Sequence, residues 1–145
     1  MEIRRALPAD VRAAAWLAVL LWPRHSLLEM EEEMETLLPN PEVAVFLAIE
    51  DGAAVGFAQF GLRHDYVEGA SFSPTAYLEG IYVMEAYRGK GFAAELLKAG
   101  ESWALDMNCS QMASDCEISN SQSLVFHLKN GFSETNRIIC FLKDL

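Results

Sequence analysis

A predicted strand, a glycine-containing turn and a predicted helix follow one another in the middle of this 145-residue chain. Residues 77–84 (YLEGIYVM) form the strand, and residues 92–107 have the apolar spacing of an amphipathic helix. Between them lies the motif Arg88-x-x-Gly91-x-Ala93. A strand that turns directly into a helix aims unpaired backbone N–H groups and the positive end of the helix dipole at the turn, which suits a phosphate group. Because many such turns carry glycine for local reasons, the motif alone leaves both interpretations open.

The length of the chain predicts one domain, residues 1–145, that can bury its own core. The longest apolar run, residues 13–22, has about half of the roughly 20 residues that a membrane span requires. No signal-peptide pattern opens the sequence, so we expect a cytoplasmic protein. Cys109, Cys116 and Cys140 lack the close spacing of a zinc site or a redox pair, and we expect reduced thiols and no bound metal.

The charge of the chain narrows the choice of partners. Asp and Glu number 21 against 11 Lys and Arg, which gives a net charge of −10. Such a surface repels nucleic acid and anionic lipid, and it attracts cationic ligands. We therefore expect no nucleic-acid or membrane partner. An acidic surface that serves solubility alone is the alternative to a cationic substrate.

Apolar periodicity, capping residues and turn residues divide the chain into elements. Strands are predicted at residues 2–6, 43–50, 55–63, 77–84, 111–116 and 138–142, and helices at residues 11–22, from Ser26, at 92–107 and from Ser119 or Asn120 to Gly131. This order, β-α-α-β-β-β-α-β-α-β, predicts an α/β (α+β) fold with a mixed sheet and helices on its faces. The apolar run 138–142 predicts a last strand that is covered on both faces, by the core and by a helix or partner subunit. Residues 64–76 form a loop long enough to be a functional flap or to cross toward a neighbouring subunit.

These residues together resemble the GNAT acetyltransferases, which transfer acetyl groups from acetyl-CoA to amines. The resemblance rests on the Arg88 motif, on Asn120 and Ser123, and on His127-x-x-x-Gly131-Phe132, which is similar to the Tyr-x-x-x-Gly-Phe ending common in that superfamily. It implies a mostly antiparallel sheet that is splayed at the acetyl-CoA site. The implied contacts to acetyl-CoA are Ile81, Tyr82, Val83, Arg88, Gly89, Lys90, Gly91, Phe92, Ala93, Asn120 and Ser123.

A closer resemblance links the chain to the aminoglycoside 6′-N-acetyltransferases of antibiotic-resistant bacteria. It rests on residues 78–83 (LEGIYV) and 113–115 (ASD), together with Trp22, His25 and Tyr66. It implies a homodimer that acetylates the 6′-amine of aminoglycosides, without a metal. The implied substrate contacts are Trp22, His25, Tyr66, Glu79, Asp115 and Asn136. Asn136 stands where relatives carry an acid, and Glu134 replaces that acid only if the local register differs.

Two carboxylates are the candidate groups for handling the amine. An alkylammonium has a pKa of about 10 and must lose a proton before its nitrogen attacks a thioester. Strict strand alternation predicts that Glu79 shares a face with Ile81 and Val83, beside the acetyl arm. We interpret Asp115 as the ammonium anchor with a share in deprotonation, and Glu79 as the group that grips the reacting amine or its water. A backbone N–H among residues 81–83 is the expected stabiliser of the thioester oxygen.

His127 is the candidate general acid, because it stands where most of the superfamily has a tyrosine. Imidazolium has a pKa of about 6.5 and a thiol of about 8.5, so a proton passes downhill to the departing CoA thiolate. A histidine that only caps or packs the helix end is the alternative. Two rival functions also remain open at this stage, an acetyltransferase for polyamines or other small amines and a non-catalytic acyl-CoA sensor.

Overall fold

Each strand lies beside its neighbour in the chain, in one five-stranded sheet of order β1-β2-β3-β4-β5. The computed structural model describes all of residues 1–145. Its elements are β1 (Glu2–Arg5), α1 (Val11–Leu21), α2 (Leu27–Leu37), β2 (Val43–Glu50), β3 (Ala53–Arg63), β4 (Thr75–Val83), α3 (Phe92–Asp106), β5 (Met112–Ser114) and α4 (Ser121–Lys129). Only the β4–β5 pair is parallel. The predicted α/β (α+β) fold with a mixed, mostly antiparallel sheet is confirmed.

The sheet is the middle layer of the core, because its central strands carry apolar side chains on both faces. Phe57 of β3 packs with Leu17 of α1 and Met34 of α2 in one apolar cluster. Phe60, three residues later on the same strand, belongs to a second cluster with Leu96 of α3. The period of two along a strand thus divides the apolar side chains between two helical layers.

Gly100 allows α3 to lie close to β3. A Cβ atom at this position would lie 2.0 Å from the Cζ atom of Phe60. The Phe60 side chain is fully buried and has no open space into which it can move. The glycine is therefore a requirement of packing, although it lowers the intrinsic helix propensity of α3.

Local sequence signals set most element boundaries. The backbone N–H of Glu29 donates to Ser26 Oγ at 3.1 Å, which confirms the predicted cap of α2. Asp51 and Gly52 have φ values of 51° and 78°, as a two-residue hairpin turn requires. Asn120 caps α4. None of the helices combines the length and the hydropathy that crossing a membrane requires.

Glu79 is the extra residue of a β-bulge in β4. Phe60 of β3 is opposite Leu78 and Gln59 is opposite Gly80, so Glu79 has no partner across the strand pair. A bulge inserts one residue into one strand and re-aims the side chains around it. The candidate carboxylate therefore stands at an interruption of the sheet.

The bulge changes which side chains share a face of β4. Leu78 packs against the α3 cluster, and Ile81 and Val83 also pack there beyond the bulge. Gly80 lies on the α1 side, where an added Cβ would meet Trp22. The expectation that Glu79 shares a face with Ile81 and Val83 is wrong, because one inserted residue reverses the alternation.

The C-terminal segment differs from its prediction. Residues 132–145 belong to no helix or strand. Ile138, Ile139, Phe141 and Leu142 are 73%, 80%, 90% and 95% exposed. The predicted strand at 138–142, covered on both faces, is absent from the single chain because no strand of the same chain lies beside it. The three-residue strand β5 also has an unpaired outer edge.

We expect Gly100→Ala to destabilise the fold by about 1–3 kcal/mol, because overpacking against Phe60 outweighs the gain in helix propensity. Chemical denaturation measures the change. Ser102→Ala, at an exposed position of the same helix, should stay within about 0.5 kcal/mol of the parent protein. Unchanged stability of Gly100→Ala would show that the close approach of α3 is not required.

Candidate active site

The turn between β4 and α3 presents a run of free backbone donors. The N–H groups of residues 89–94 donate to no acceptor of the protein, because α3 begins at Phe92 and its first turn has no preceding carbonyl to reach. Gly89 and Gly91 have φ values of 75° and 89°, in the left-handed region that favours glycine. The turn therefore fits the predicted diphosphate site at Arg88, Gly89, Lys90, Gly91, Phe92 and Ala93.

Arg88 fastens this turn to the end of β4. Its Nε atom donates to the Val83 carbonyl oxygen at 2.7 Å. Its guanidinium carbon lies 5.3 Å from the centre of the Tyr82 ring. The two terminal nitrogens make no hydrogen bond within the protein, and they remain available to an anion beside the free N–H groups.

β4 and β5 pair over a short distance and then part. Their last paired residues are Leu78 and Ser114, whereas β4 continues to Val83. The edge of β4 at Ile81, Tyr82 and Val83 thus has no strand beside it, and an unpaired strand edge offers N–H and C=O groups to an extended ligand. This is where the predicted contacts to the acetyl and pantetheine arm lie.

Four side chains, which we call the acid cluster, meet at the ends of β3, β4 and β5: Arg63, Tyr77, Glu79 and Asp115. The Arg63 guanidinium makes two hydrogen bonds to the Glu79 carboxylate, at 2.7 and 3.2 Å. Its carbon lies 3.6 Å from the centre of the Tyr77 ring. The Tyr77 hydroxyl donates to the Asp115 carboxylate. The two predicted acids are thus brought into one connected group.

The protonation of this cluster follows from its contacts. Burial raises the pKa of Tyr77, and the hydrogen bond to Asp115 raises this pKa further, so the phenol keeps its proton and acts as a donor. The hydrogen bond to Glu79 raises the pKa of Arg63, which therefore remains a cation. Each of the two acids already has a donor from its own chain.

His127 is held between α4 and β5. Its Nδ1 atom lies 2.7 Å from the Ser123 carbonyl oxygen, and its Nε2 atom lies 2.8 Å from Ser114 Oγ. A carbonyl can only accept, so Nδ1 carries a proton and Nε2 faces the serine hydroxyl. The ring also packs edge to face on Phe126 and Phe132. Both the acid role and the packing role are compatible with these contacts.

Asn120 and Ser123 lie at the start of α4. Asn120 Oδ1 accepts the Ser123 backbone N–H at 3.1 Å, and Ser123 Oγ lies 3.3 Å from His127 Nδ1. The predicted contacts with CoA therefore also have a capping role.

Trp22 and His25 lie on the α1 side of the sheet. An added Cβ at Gly80 would lie 2.5 Å from a ring carbon of Trp22, so this ring covers the strand next to Glu79. Its edge also meets Phe57, with ring centres 6.0 Å apart. Trp22 thus combines a core contact with a place beside the acid cluster. His25 is exposed and contacts only Glu29, at 3.2 Å.

Tyr66 and Asn136 make no hydrogen bond with the acid cluster, but both are bonded to one other carboxylate. The Tyr66 hydroxyl donates to Glu68 at 2.7 Å, and Asn136 Nδ2 donates to the same carboxylate at 2.9 Å. These hydrogen bonds lower the pKa of Glu68, and the bond from Tyr66 has the larger effect. They join the 64–74 loop to the C-terminal segment. Glu134 pairs with Arg137 instead.

A cleft of about 1190 Å³ adjoins these groups. It is lined by Arg63, Tyr66, Tyr77, Asp115, His127 and Asn136, among others. Glu79, Trp22 and the turn at residues 88–93 do not line it. Arg63 thus faces the cleft while its partner Glu79 does not.

Sequence reasoning missed Arg63, Tyr77 and Ser114. Arg63 ends β3 and is paired with Thr75 rather than with Glu79, so the sequence has no signal for the contact between Arg63 and Glu79. Tyr77 is the third residue of β4, two residues before Glu79. Ser114 lies next to Asp115 and differs from other serines only by its place opposite His127, for which the sequence has no signal.

Residues 13–132 match the acetyltransferase (GNAT) family. This chain belongs to the GNAT family. The match includes the turn at residues 88–93, the acid cluster and His127, whereas the exposed C-terminal segment lies beyond it.

Similar proteins cover nearly the whole chain. An aminoglycoside N(6′)-acetyltransferase type 1 of Stenotrophomonas maltophilia is 43% identical over 144 residues, which are 99% of this chain and 93% of the relative. One of Salmonella typhimurium is 40% identical over 99% of both chains. The structure of AAC(6′)-Iy with the bisubstrate analogue CoA-S-monomethyl-acetylneamine has a TM-score of 0.95 at 36% identity and covers 99% of this chain and 98% of its own. AAC(6′)-IG of Acinetobacter haemolyticus has a TM-score of 0.93 at 34% identity, over 100% and 99% of the two chains.

We expect Gly91→Ala to weaken CoA binding by about tenfold, which corresponds to about 1.4 kcal/mol. A side chain disfavours the φ of 89° at this position and turns the free N–H groups away from a common point. Isothermal titration with CoA measures the effect. Gly52→Ala is the matched control, because Gly52 also has a positive φ and open space around it. Equal affinities in the two variants would remove the turn from the binding site.

Proposed function

We propose that this protein is an aminoglycoside 6′-N-acetyltransferase, which transfers the acetyl group of acetyl-CoA directly to the 6′-amine and so confers resistance. The observation that carries the proposal is the meeting of Glu79 and Asp115 in one cluster where β4 and β5 part. The near full-length similarity to enzymes of that name supports it.

The turn and the open strand edge are suited to acetyl-CoA. The free N–H groups of residues 89–94 and the guanidinium of Arg88 would hold the diphosphate. The edge of β4 at residues 81–83 would pair with the pantetheine arm and direct an N–H at the thioester oxygen. Asn120 and Ser123 would contact the cofactor from the start of α4.

The acid cluster would receive the amine. Asp115 binds ammonium groups of the drug, and Glu79, or a water molecule bound to it, takes the proton that the reacting nitrogen must lose. The nitrogen lone pair then forms the amide bond to the acetyl carbon as the carbon–sulfur bond breaks. No covalent enzyme intermediate is required. Trp22, His25, Tyr66 and Asn136 are the proposed remaining drug contacts.

His127 would return a proton to the CoA thiolate. Nδ1 donates to the Ser123 carbonyl, so a charged His127 presents its second proton from Nε2 toward Ser114. In the free protein the Ser114 hydroxyl donates at 3.2 Å to the carbonyl oxygen of Leu78, the last paired residue of β4. This hydroxyl would turn toward the thiolate, give up its proton there and take the proton from Nε2.

A homodimer is the proposed assembly. Four large apolar side chains in residues 138–142 are almost fully exposed in the single chain. Apolar surface of this extent is typical of an interface. The unpaired outer edge of β5 is a strand edge of the kind that an extended segment of a second copy can pair with. A cytoplasmic location, with neither nucleic acid nor membrane as partner, fits an enzyme that uses acetyl-CoA.

Release of free CoA thiol tests the function directly. Acetyl-CoA is supplied with kanamycin, with spermidine or with no amine, and we expect turnover with kanamycin well above the other two. Turnover with spermidine alone would replace the drug assignment by a polyamine acetyltransferase. Binding of acetyl-CoA without turnover on any amine would favour a sensor.

We expect Asp115→Asn to raise the KM for kanamycin by about tenfold, because a charged anchor for an ammonium group is lost. The new amide oxygen still accepts the Tyr77 hydroxyl, so the fold and the affinity for acetyl-CoA should stay nearly unchanged. Asp106→Asn removes the same charge from the exposed end of α3 and should leave both values unaltered. Equal loss of drug and cofactor binding would make Asp115 structural.

We expect deletion of residues 138–145 to convert the protein to a monomer in light scattering coupled to size-exclusion chromatography. Phe141→Asp places a charge in the same segment and should shift the equilibrium in the same direction. Leu28→Asp is the control, since Leu28 is 64% exposed on α2. A parent protein that is monomeric at all concentrations would contradict the proposed dimer.

A further inference from the structure

Arg63 is the side chain that holds Glu79 in the free protein. Its forked guanidinium makes hydrogen bonds to both carboxylate oxygens of Glu79, at 2.7 and 3.2 Å. Two parallel N–H···O bonds of this kind are stronger than a single contact between point charges. The guanidinium also lies flat on the Tyr77 ring, with its carbon 3.6 Å from the ring centre.

Arg63 and its partner Glu79 differ in their access to the cleft. Arg63, Tyr77 and Asp115 line the cleft, whereas Glu79 does not. The Glu79 side chain is 27% exposed and that of Arg63 is 44% exposed. Arg63 ends β3, and both of its side-chain hydrogen bonds go to Glu79. The side chain can therefore leave the carboxylate by rotating into solvent, which also ends its contact with the Tyr77 ring but breaks no other hydrogen bond.

We propose that Arg63 is an internal competitor that a substrate ammonium must displace from Glu79. The inference rests on the proposed acetylation of an aminoglycoside amine. An ammonium group replaces the guanidinium with equal charge and with hydrogen bonds of the same kind, so the exchange leaves Glu79 compensated. A neutral hydroxyl cannot supply this charge, so a drug with a hydroxyl at the same place binds with the Arg63–Glu79 pair still closed.

This exchange has a defined effect on affinity. When an internal group occupies the binding position, only the molecules in which that position is open can bind the ligand. The apparent affinity is the intrinsic affinity multiplied by this open fraction. Removing Arg63 opens Glu79 in every molecule, so the KM for an amine substrate decreases. A residue that only positioned Glu79 would have the opposite effect, since its loss would lower kcat and raise KM.

The test compares Arg63→Leu with the parent protein on kanamycin. We expect the KM for kanamycin to fall about three- to tenfold, because the drug no longer has to break the ion pair. This magnitude is typical of a partly exposed but bidentate ion pair. The KM for acetyl-CoA should not change, and kcat should not fall. Arg63→Lys keeps the charge but loses one of the two parallel hydrogen bonds, and its KM should lie between those of the parent protein and Arg63→Leu. Arg12→Leu removes the same charge from the exposed pair with Glu31 and should have no effect.

A matched pair of drugs separates exchange at Glu79 from general charge repulsion. Neomycin carries an amine at the 6′ position and paromomycin carries a hydroxyl there, and isothermal titration gives the affinity for each. We expect Arg63→Leu to improve the binding of neomycin by about the same factor as the KM for kanamycin. The binding of paromomycin should improve by less than about twofold, because its hydroxyl does not displace Arg63 in the parent protein. Equal gains for both drugs would attribute the effect to repulsion and overturn the exchange.

The outcomes also separate this inference from the proposed function. If the parent protein acetylates neither kanamycin nor neomycin, the proposed function fails. If the parent protein acetylates both and Arg63→Leu has a higher KM or a lower kcat, only the role of Arg63 fails. Circular dichroism of Arg63→Leu verifies its fold, and Arg63→Gln repeats the measurement with a polar side chain of similar length.

Discussion

The short pairing between β4 and β5 is the constraint on which the rest of the site depends. β5 has three residues, so its pairing with β4 ends at Leu78 and Ser114 while β4 continues to Val83. Every backbone group that a longer β5 would have satisfied is left at one edge. The next segment, the turn into α3, also has free donors at residues 89–94. Two sets of unpaired main-chain groups are thus adjacent in the chain, and an extended ligand with an anionic end matches them.

The bulge at Glu79 adds the acid component to this arrangement. It places a carboxylate on the side of the sheet where Gly80 meets Trp22, and away from the face that Ile81 and Val83 occupy. The main-chain site and the acid cluster therefore share one strand without sharing one face. Arg63 and Tyr77 stabilise the two acids: Arg63 supplies a cation to Glu79, and Tyr77 supplies a neutral donor to Asp115. A cluster with this balance is stable alone and still carries excess negative charge.

Much of this fold follows from the sequence, because the signals are local. Ser26, Asn120 and the Asp51-Gly52 turn act on their own neighbours, and each marks a boundary that the structure has. The glycine turn belongs to the same class. The bulge at Glu79 could not be read from the chain, because an inserted residue depends on register with β3 rather than on the strand itself. The partner of Tyr77 was also hidden, since Asp115 is 38 residues away.

The C-terminal segment has a clear apolar pattern, but the sequence does not show what surrounds this segment. Residues 138–142 have the composition of a buried strand, but a single chain supplies nothing to bury them against. The apolar pattern shows that the segment is suited to burial, but it does not show which molecule covers it. The predicted site residues also depend on contacts that the sequence does not show. Glu79 and Asp115 were expected near each other, and Arg63 and Tyr77 join them. Tyr66 and Asn136 are both bonded to the Glu68 carboxylate, which the sequence did not single out.

The Glu68 carboxylate limits how the two surface segments that share it can diverge. Tyr66 and Asn136 both donate to this one group, so an acid at position 136 would set two negative charges against each other and release the loop from the C-terminal segment. Positions 68 and 136 are therefore coupled electrostatically, so an acid at position 136 would favour an uncharged residue at position 68.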